Sequence, residues 1–129
     1  MSDTIKFTLS CVGEKTHEKW HGEFTIKTWL SHRDELVRDA RRRELLGDNP
    51  QYASERQASQ AELFSELEVR VVGAPAWWAA SSGGLDLRDD APVKEVFERA
   101  IKAERDAMDA LKKEADAAKG ELREVEPVE

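Results

Sequence analysis

The chain reads as an α+β protein, an N-terminal antiparallel β-hairpin followed by three helices, the last long and partly projecting. Three observations predict this. The stretch "TIKFTLSCV", residues 4–12, alternates apolar and polar side chains with the period of a half-buried strand. After Ser31 the apolar spacing changes to steps of three and four, the period of a helix. The chain is 40% hydrophobic and 36% charged, a balance that suits a small core with long solvated helical faces.

The hairpin spans residues 4–29. Ile5, Phe7, Leu9 and Cys11 share one face of its first strand. Gly13 opens a "GEKT" turn and is placed there to take a positive φ. The second strand runs from Glu18 to Thr28, with Trp20, Gly22, Phe24 and Ile26 on one face. A lone hairpin is marginal in water, so this one must pack on helices or on another subunit.

The first helix is expected over residues 31–46. Ser31 is its N-cap, with Asp34 three residues on as in a capping box. Leu36, Val37, Ala40, Leu45 and Leu46 give it a patchy apolar face, and Gly47 stops it. "DNPQY" is a loop. Ser54 and Gln57 form a second capping box for a helix over 54–72, with Ala58, Ala61, Phe64, Leu67 and Val71 at helical spacing. "LEVRVV" also reads as a strand, but the upstream period continues into it, so helix is preferred. Gly73 and Pro75 end that helix.

Trp77 and Trp78 then form one short helical turn, broken by "SSGG". Asp89 or Asp90 caps the third helix, expected over 90–119, with Pro92 in its first turn. Val93, Val96, Phe97, Ala100, Ile101, Met108, Leu111 and Ala115 lie near one stripe. Large apolar residues thin out beyond Met108, so the second half of this helix either projects or zips against another helix. Residues 120–129 read as an acidic flexible tail on a single domain of residues 1–119.

A net charge of -7 excludes a general nucleic-acid or membrane-surface binder. No apolar run approaches a membrane span, and the N-terminus lacks the regions of a signal peptide. One cysteine precludes an internal disulfide and fits a reducing cytoplasm. No phosphate loop, nucleophile elbow or HExxH motif is present, and no catalytic residue, cofactor or metal is assigned. His17, His21 and Cys11 share the hairpin, but a structural zinc site normally needs four ligands. Asp86, Asp89 and Asp90 lack the spacing of a calcium loop.

The candidate partner-binding residues are Trp77, Trp78, Arg38, Arg41, Arg42, Met108 and Leu111. Adjacent residues on a helix diverge by about 100°. Either one tryptophan fills the core and the other stands partly exposed, where aromatics anchor protein partners, or both act as staples of the corner. In "RDARRRE", Asp34 is expected to pair with Arg38 and Asp39 with Arg43 at i,i+4, while Arg41 and Arg42 have no acid upstream; the cluster reads first as a solvated helix face and second as a dock for an acidic partner protein. Nucleic acid is the third choice.

The stretches "GEFTIKTWLSHRDELVRDARRRELLG" and "APAWWAASSGGLDLRDDAPVKEVFERAIKAE" resemble the small tail assembly chaperones of long-tailed bacteriophages. The resemblance implies a non-enzymatic protein of the bacterial host cytoplasm. It implies binding to the tape measure protein and the tail tube protein, and absence from the finished particle. A longer frameshifted form often accompanies such proteins. The lysines and glutamates on the outer face of the hairpin depart from this pattern and suit equally a subunit retained in the virion, such as a decoration, head-completion or tail-associated protein. A homo-oligomer is compatible with either reading.

Overall fold

The computed structural model describes residues 3–125, with side chains as far as Lys119. Strand β1 (Thr4–Val12) and strand β2 (Lys19–Lys27) form the expected antiparallel hairpin, with Phe7 opposite Phe24 and Cys11 opposite Trp20. Helices α1 (His32–Leu46) and α2 (Glu55–Arg70) follow. Both capping boxes form as read from the sequence. Ser31 accepts from the Asp34 N–H and Ser54 from the Gln57 N–H, and each third residue returns a bond to its cap. A single 3₁₀ turn, Pro50–Tyr52, occupies the expected loop.

The first departure comes at "LEVRVV". Helix α2 stops at Arg70, short of the expected 72, and Val71–Gly73 becomes a third strand, β3, paired antiparallel with β2. The sheet order is β1-β2-β3. Two consecutive β-branched valines suit this conformation better than a helix end. Helix α3 (Ala76–Ala80) is the expected tryptophan turn, and α4 (Ala91–Val125) is the long last helix. Helix α4 runs past position 119, so residues 120–125 continue it rather than beginning a tail. Residues 126–129 lie outside the described residues.

The core fills the space between one face of the sheet and the first half of α4. Phe7, Leu9, Phe24 and Ile26 from the sheet meet Val93, Val96, Ala100 and Ala103 from α4, with Leu67 and Trp78 closing the side. Phe7 and Phe24 stack across the hairpin with ring centroids 5.5 Å apart. By contrast, α1 contributes no buried residue. Leu36 and Val37, two of the five residues of its expected apolar face, are 71% and 54% exposed. Ala40, Leu45 and Leu46 are half-buried, and charge adds to the hold on α2. Arg38 donates to Glu66 at 2.8 Å and Arg41 to Glu68 at 2.9 Å, both on α2.

That geometry corrects the expected i,i+4 pairs. Asp34 pairs with Lys27 of β2 instead of Arg38, and Asp39 pairs with Arg38 and Arg42 instead of Arg43. The long arginine side chains reach across to α2, whose glutamates were not weighed as partners.

The entry to α4 differs as well. Asp89 does not cap the helix. It is 1% exposed, and its carboxylate accepts from the Lys15 and Thr16 backbone N–H groups, the Thr16 hydroxyl and the Trp20 indole. Glu14 performs the reciprocal service, accepting from the N–H groups of Asp90 and Ala91 at the start of α4. Burial pushes the Asp89 carboxyl up, but the hydrogen bonds from Thr16, Trp20 and Lys15 outweigh it and hold it well below the usual carboxylate range. Gly13 is needed for space, not for a positive φ. A Cβ there would overlap the Asp89 carboxylate, and the residue of the turn that takes the left-handed conformation is His17, at φ 61°.

Candidate functional site

The tryptophan corner is built from both sides. Trp78 is 5% exposed and meets Phe24 edge to face, with centroids 5.2 Å apart at 87°. Trp77 faces the other way, as the 100° argument requires, yet it is not free. Its indole N–H donates to the His21 carbonyl at 2.9 Å, and its ring lies 4.8 Å from Trp20 and 5.8 Å from Phe24. The corner is therefore a four-ring cluster that locks α3 to β2, with no tryptophan left as an exposed handle. Beside Trp78 a groove of about 450 Å³ runs between α2, β3 and α3, with Leu67, Val71, Val72 and Leu85 on its walls.

The arginines divide differently from expectation. Arg38 and Arg41 are committed to Glu66 and Glu68. Arg42 reaches Asp39 at only 3.6 Å and is 41% exposed, so it is the most available of the three candidates. Sequence reasoning missed Arg70, the charged centre of this side of the molecule. Its side chain is 3% exposed and spans Glu66 at 2.7 Å and Glu104 of α4 at 3.0 Å. Its Nη1 has no hydrogen-bond partner among the described residues. Burial would lower the Arg70 pKa, but the two carboxylates outweigh it and keep the guanidinium charged. The chain Arg38–Glu66–Arg70–Glu104 ties α1, α2 and α4 together. The signal for it was present as Glu66 and Arg70 at i,i+4.

Met108 and Leu111 stand where the sequence placed them, on the projecting half of α4. Ala103 is the last buried residue of that helix, and Glu104 makes its last described tie to the body, through Arg70. Met108 is 55% and Leu111 41% exposed, and every side chain from Met108 to Lys119 is exposed. Residues 105–125 extend about 30 Å at the helical rise. The chain exposes 9078 Å², against about 6,900 Å² for a compact monomer of 14.6 kDa. The excess fits a helix that leaves the body. Met108, Leu111 and Ala115, at i, i+3 and i+7, form a narrow apolar stripe on it.

Hairpin geometry separates the candidate metal ligands. Cys11 lies on the inner face opposite Trp20, His21 on the outer face opposite Ser10, and His17 in the turn. Among the described residues, no group of three or more His, Cys, Asp or Glu side chains could hold a metal ion. Burial, then the charges of Glu95, Glu14 and Asp89, raise the Cys11 thiol pKa, which keeps it protonated. Among the described residues, no helix is long and apolar enough to cross a membrane. No family model matches the chain, and no curated protein or solved structure matches it either.

Proposed function

We propose that this chain is a non-enzymatic protein-binding adaptor that offers the projecting half of α4 to a helical partner. One observation carries this reading. The helix continues for about 20 residues beyond its last core contact at Ala103, with the stripe of Met108, Leu111 and Ala115 uncovered. An isolated helical stretch of charged and alanine residues is marginal in water unless a partner covers its apolar face. Charged residues flank the stripe and keep the unpartnered helix soluble.

The resemblance of residues 22–47 and 74–104 to phage tail assembly chaperones supplies the setting. In that setting the partner is the tape measure protein, a long helical chain, and tail tube subunits follow. The site of action is the bacterial host cytoplasm. Co-expression with a tape measure protein should keep that partner soluble. Replacing Met108 and Leu111 together by glutamate should abolish the effect while leaving the fold of the body unchanged. A doubly substituted chain that still solubilises its partner rejects α4 as the docking element.

A second reading, a structural subunit of the virion, is favoured by one specific feature: among the described residues the sheet runs β1-β2-β3, which places β1 at its edge. Mass spectrometry of purified particles separates the two. Stoichiometric copies in the virion favour the structural subunit, and absence favours the chaperone.

A further inference from the structure

The apolar stripe on α4 is the open part of a longer seam. Counting in sevens from Ile101, the first and fourth positions are Ile101, Glu104, Met108, Leu111, Ala115 and Ala118. All are apolar except Glu104, and the sequence keeps the repeat as far as Val125. Such a repeat, sustained over three heptads, is the pattern of a coiled coil. Helix α2 covers the start of the seam. It runs beside α4 in the same direction. Leu63 and Phe64 share a groove of about 310 Å³ with Val93 and Lys94, and Arg70, at the end of α2, donates to Glu104 at 3.0 Å. There the chain leaves as β3. From Met108 to Ala118 the same seam has no covering helix among the described residues.

Two charged rows flank the open seam. The fifth positions of the repeat are Arg105, Lys112 and Lys119, all basic, and the seventh are Ala107, Glu114 and Glu121. Lys102 holds Asp106 at 2.8 Å on the same helix, whereas Arg105, Lys112, Glu114 and Lys119 make no ion pair among the described residues. In a coiled coil these flanking rows set the choice of partner and its direction. A second copy of this chain does not fit them. In a parallel pair the two α4 helices would lie about 8–10 Å apart, and beside Glu104 that place is already taken by α2. In an antiparallel pair the fifth positions face each other, as do the seventh, so base meets base and acid meets acid.

We propose, on the reading that the projecting half of α4 is the docking element, that the seam takes a helix of another protein, parallel to α4, with its N-terminus at the end of α2. The incoming helix takes over the seam where α2 leaves it. The last carbonyls of α2 carry a partial negative charge, which favours the N-terminal end of a helix over its C-terminal end and so sets the direction. The charge rows then define the partner's chemistry. It carries acidic residues along the row facing Arg105, Lys112 and Lys119, and a basic residue facing Glu114. Opposite Ala115 and Ala118 it carries large apolar side chains, because small ones would leave the seam unfilled.

Two fluorescently labelled three-heptad peptides, with leucine at every first and fourth position, test this on the purified full-length chain. The matched peptide has glutamate at its seventh positions and lysine at its fifth, which in a parallel pair face the fifth and seventh positions of α4. The other peptide has the two exchanged. By fluorescence anisotropy the matched peptide should bind at least about tenfold tighter, and added salt should narrow the difference. Lys112→Glu combined with Glu114→Lys should remove the preference, with circular dichroism confirming that the variant is folded. In a Cys11→Ser chain, Ala107→Cys should crosslink to a cysteine at the N-terminus of the matched peptide and not to one at its C-terminus. Equal binding of the two peptides, preference for the exchanged one, or crosslinking through the C-terminus overturns the proposal. If Met108→Glu with Leu111→Glu still abolishes binding in that case, α4 remains the docking element and only the charge rule and direction fall. Binding of neither peptide overturns the proposal too, and the docking reading then stands or falls on co-expression alone.

Discussion

Trp78→Ala and Trp77→Ala form a matched pair that tests how the corner is built. Trp78 is 5% exposed and packs edge to face on Phe24. Removing a buried tryptophan costs about 3–5 kcal/mol, which includes the lost transfer energy and the cavity left behind. The ring pair accounts for about 1 kcal/mol of that. Trp77 is half-buried. Its truncation loses the bond to His21 and the rings of Trp20 and Phe24, and should cost about 2 kcal/mol. A domain of this size has about 5–15 kcal/mol in total, so the first variant is severe and the second tolerable. Urea unfolding followed by far-UV circular dichroism avoids reading the tryptophans themselves. With a slope of about 1.5 kcal/mol per molar urea, the midpoint should fall by about 2–3 M for Trp78→Ala and by about half as much for Trp77→Ala. Equal shifts, or a larger shift for Trp77, would refute the assignment of Trp78 as the core member.

The clasp between the hairpin turn and α4 makes a prediction about pH. The folded pKa of Asp89 is depressed, as are those of Glu14 and Asp34, held down chiefly by backbone hydrogen bonds. Their stabilisation is complete above the ordinary carboxylate pKa, about 4, and is lost as pH falls through the depressed values. Stability should therefore decline from about pH 4 downward, and Asp89→Asn should flatten that decline while lowering stability at pH 7. Arg70→Ala should cost about 3 kcal/mol, because it leaves Glu66 and Glu104 without their shared cation; a change below about 1 kcal/mol by chemical denaturation would contradict the network. Ending the chain after Asp106 keeps every buried residue of α4. The urea midpoint should stay unchanged while far-UV helical signal and partner binding are lost.

Local signals were legible and distant ones were not. The two strands, both capping boxes and the tryptophan turn each depend on residues within a few positions, and each forms where the sequence placed it. Strand β3 was misread because its identity is fixed by pairing with β2, more than 40 residues upstream; the helical period of α2 simply ran on into it. Asp89 was misread, and Glu14 missed, for the same reason. Each satisfies backbone groups more than 70 residues away, and a local capping rule assigned the task to the nearer acid. The arginines show the limit of spacing rules, since side chains of that length select among all carboxylates in reach, not only those on their own helix. The 100° rule placed the two tryptophans on different faces correctly. Trp77 staples the corner as well, because Trp20, on β2, covers the second face.

The placement of α4 in the chain also sets when the domain can close. The sheet face of Phe7, Leu9, Phe24 and Ile26, met at the side by Leu67 and Trp78, is fully covered only once Val93–Ala103 is made. During synthesis at about 5–20 residues per second, roughly 4–15 s separate Ile26 from Ala103. A two-stranded hairpin is marginal alone, so for that interval the nascent chain carries an incompletely covered apolar face. Folding then completes late and all at once, with Asp89 and Glu14 fastening the first turn to the last helix. Everything after Ala103 is added to a body whose core is already complete.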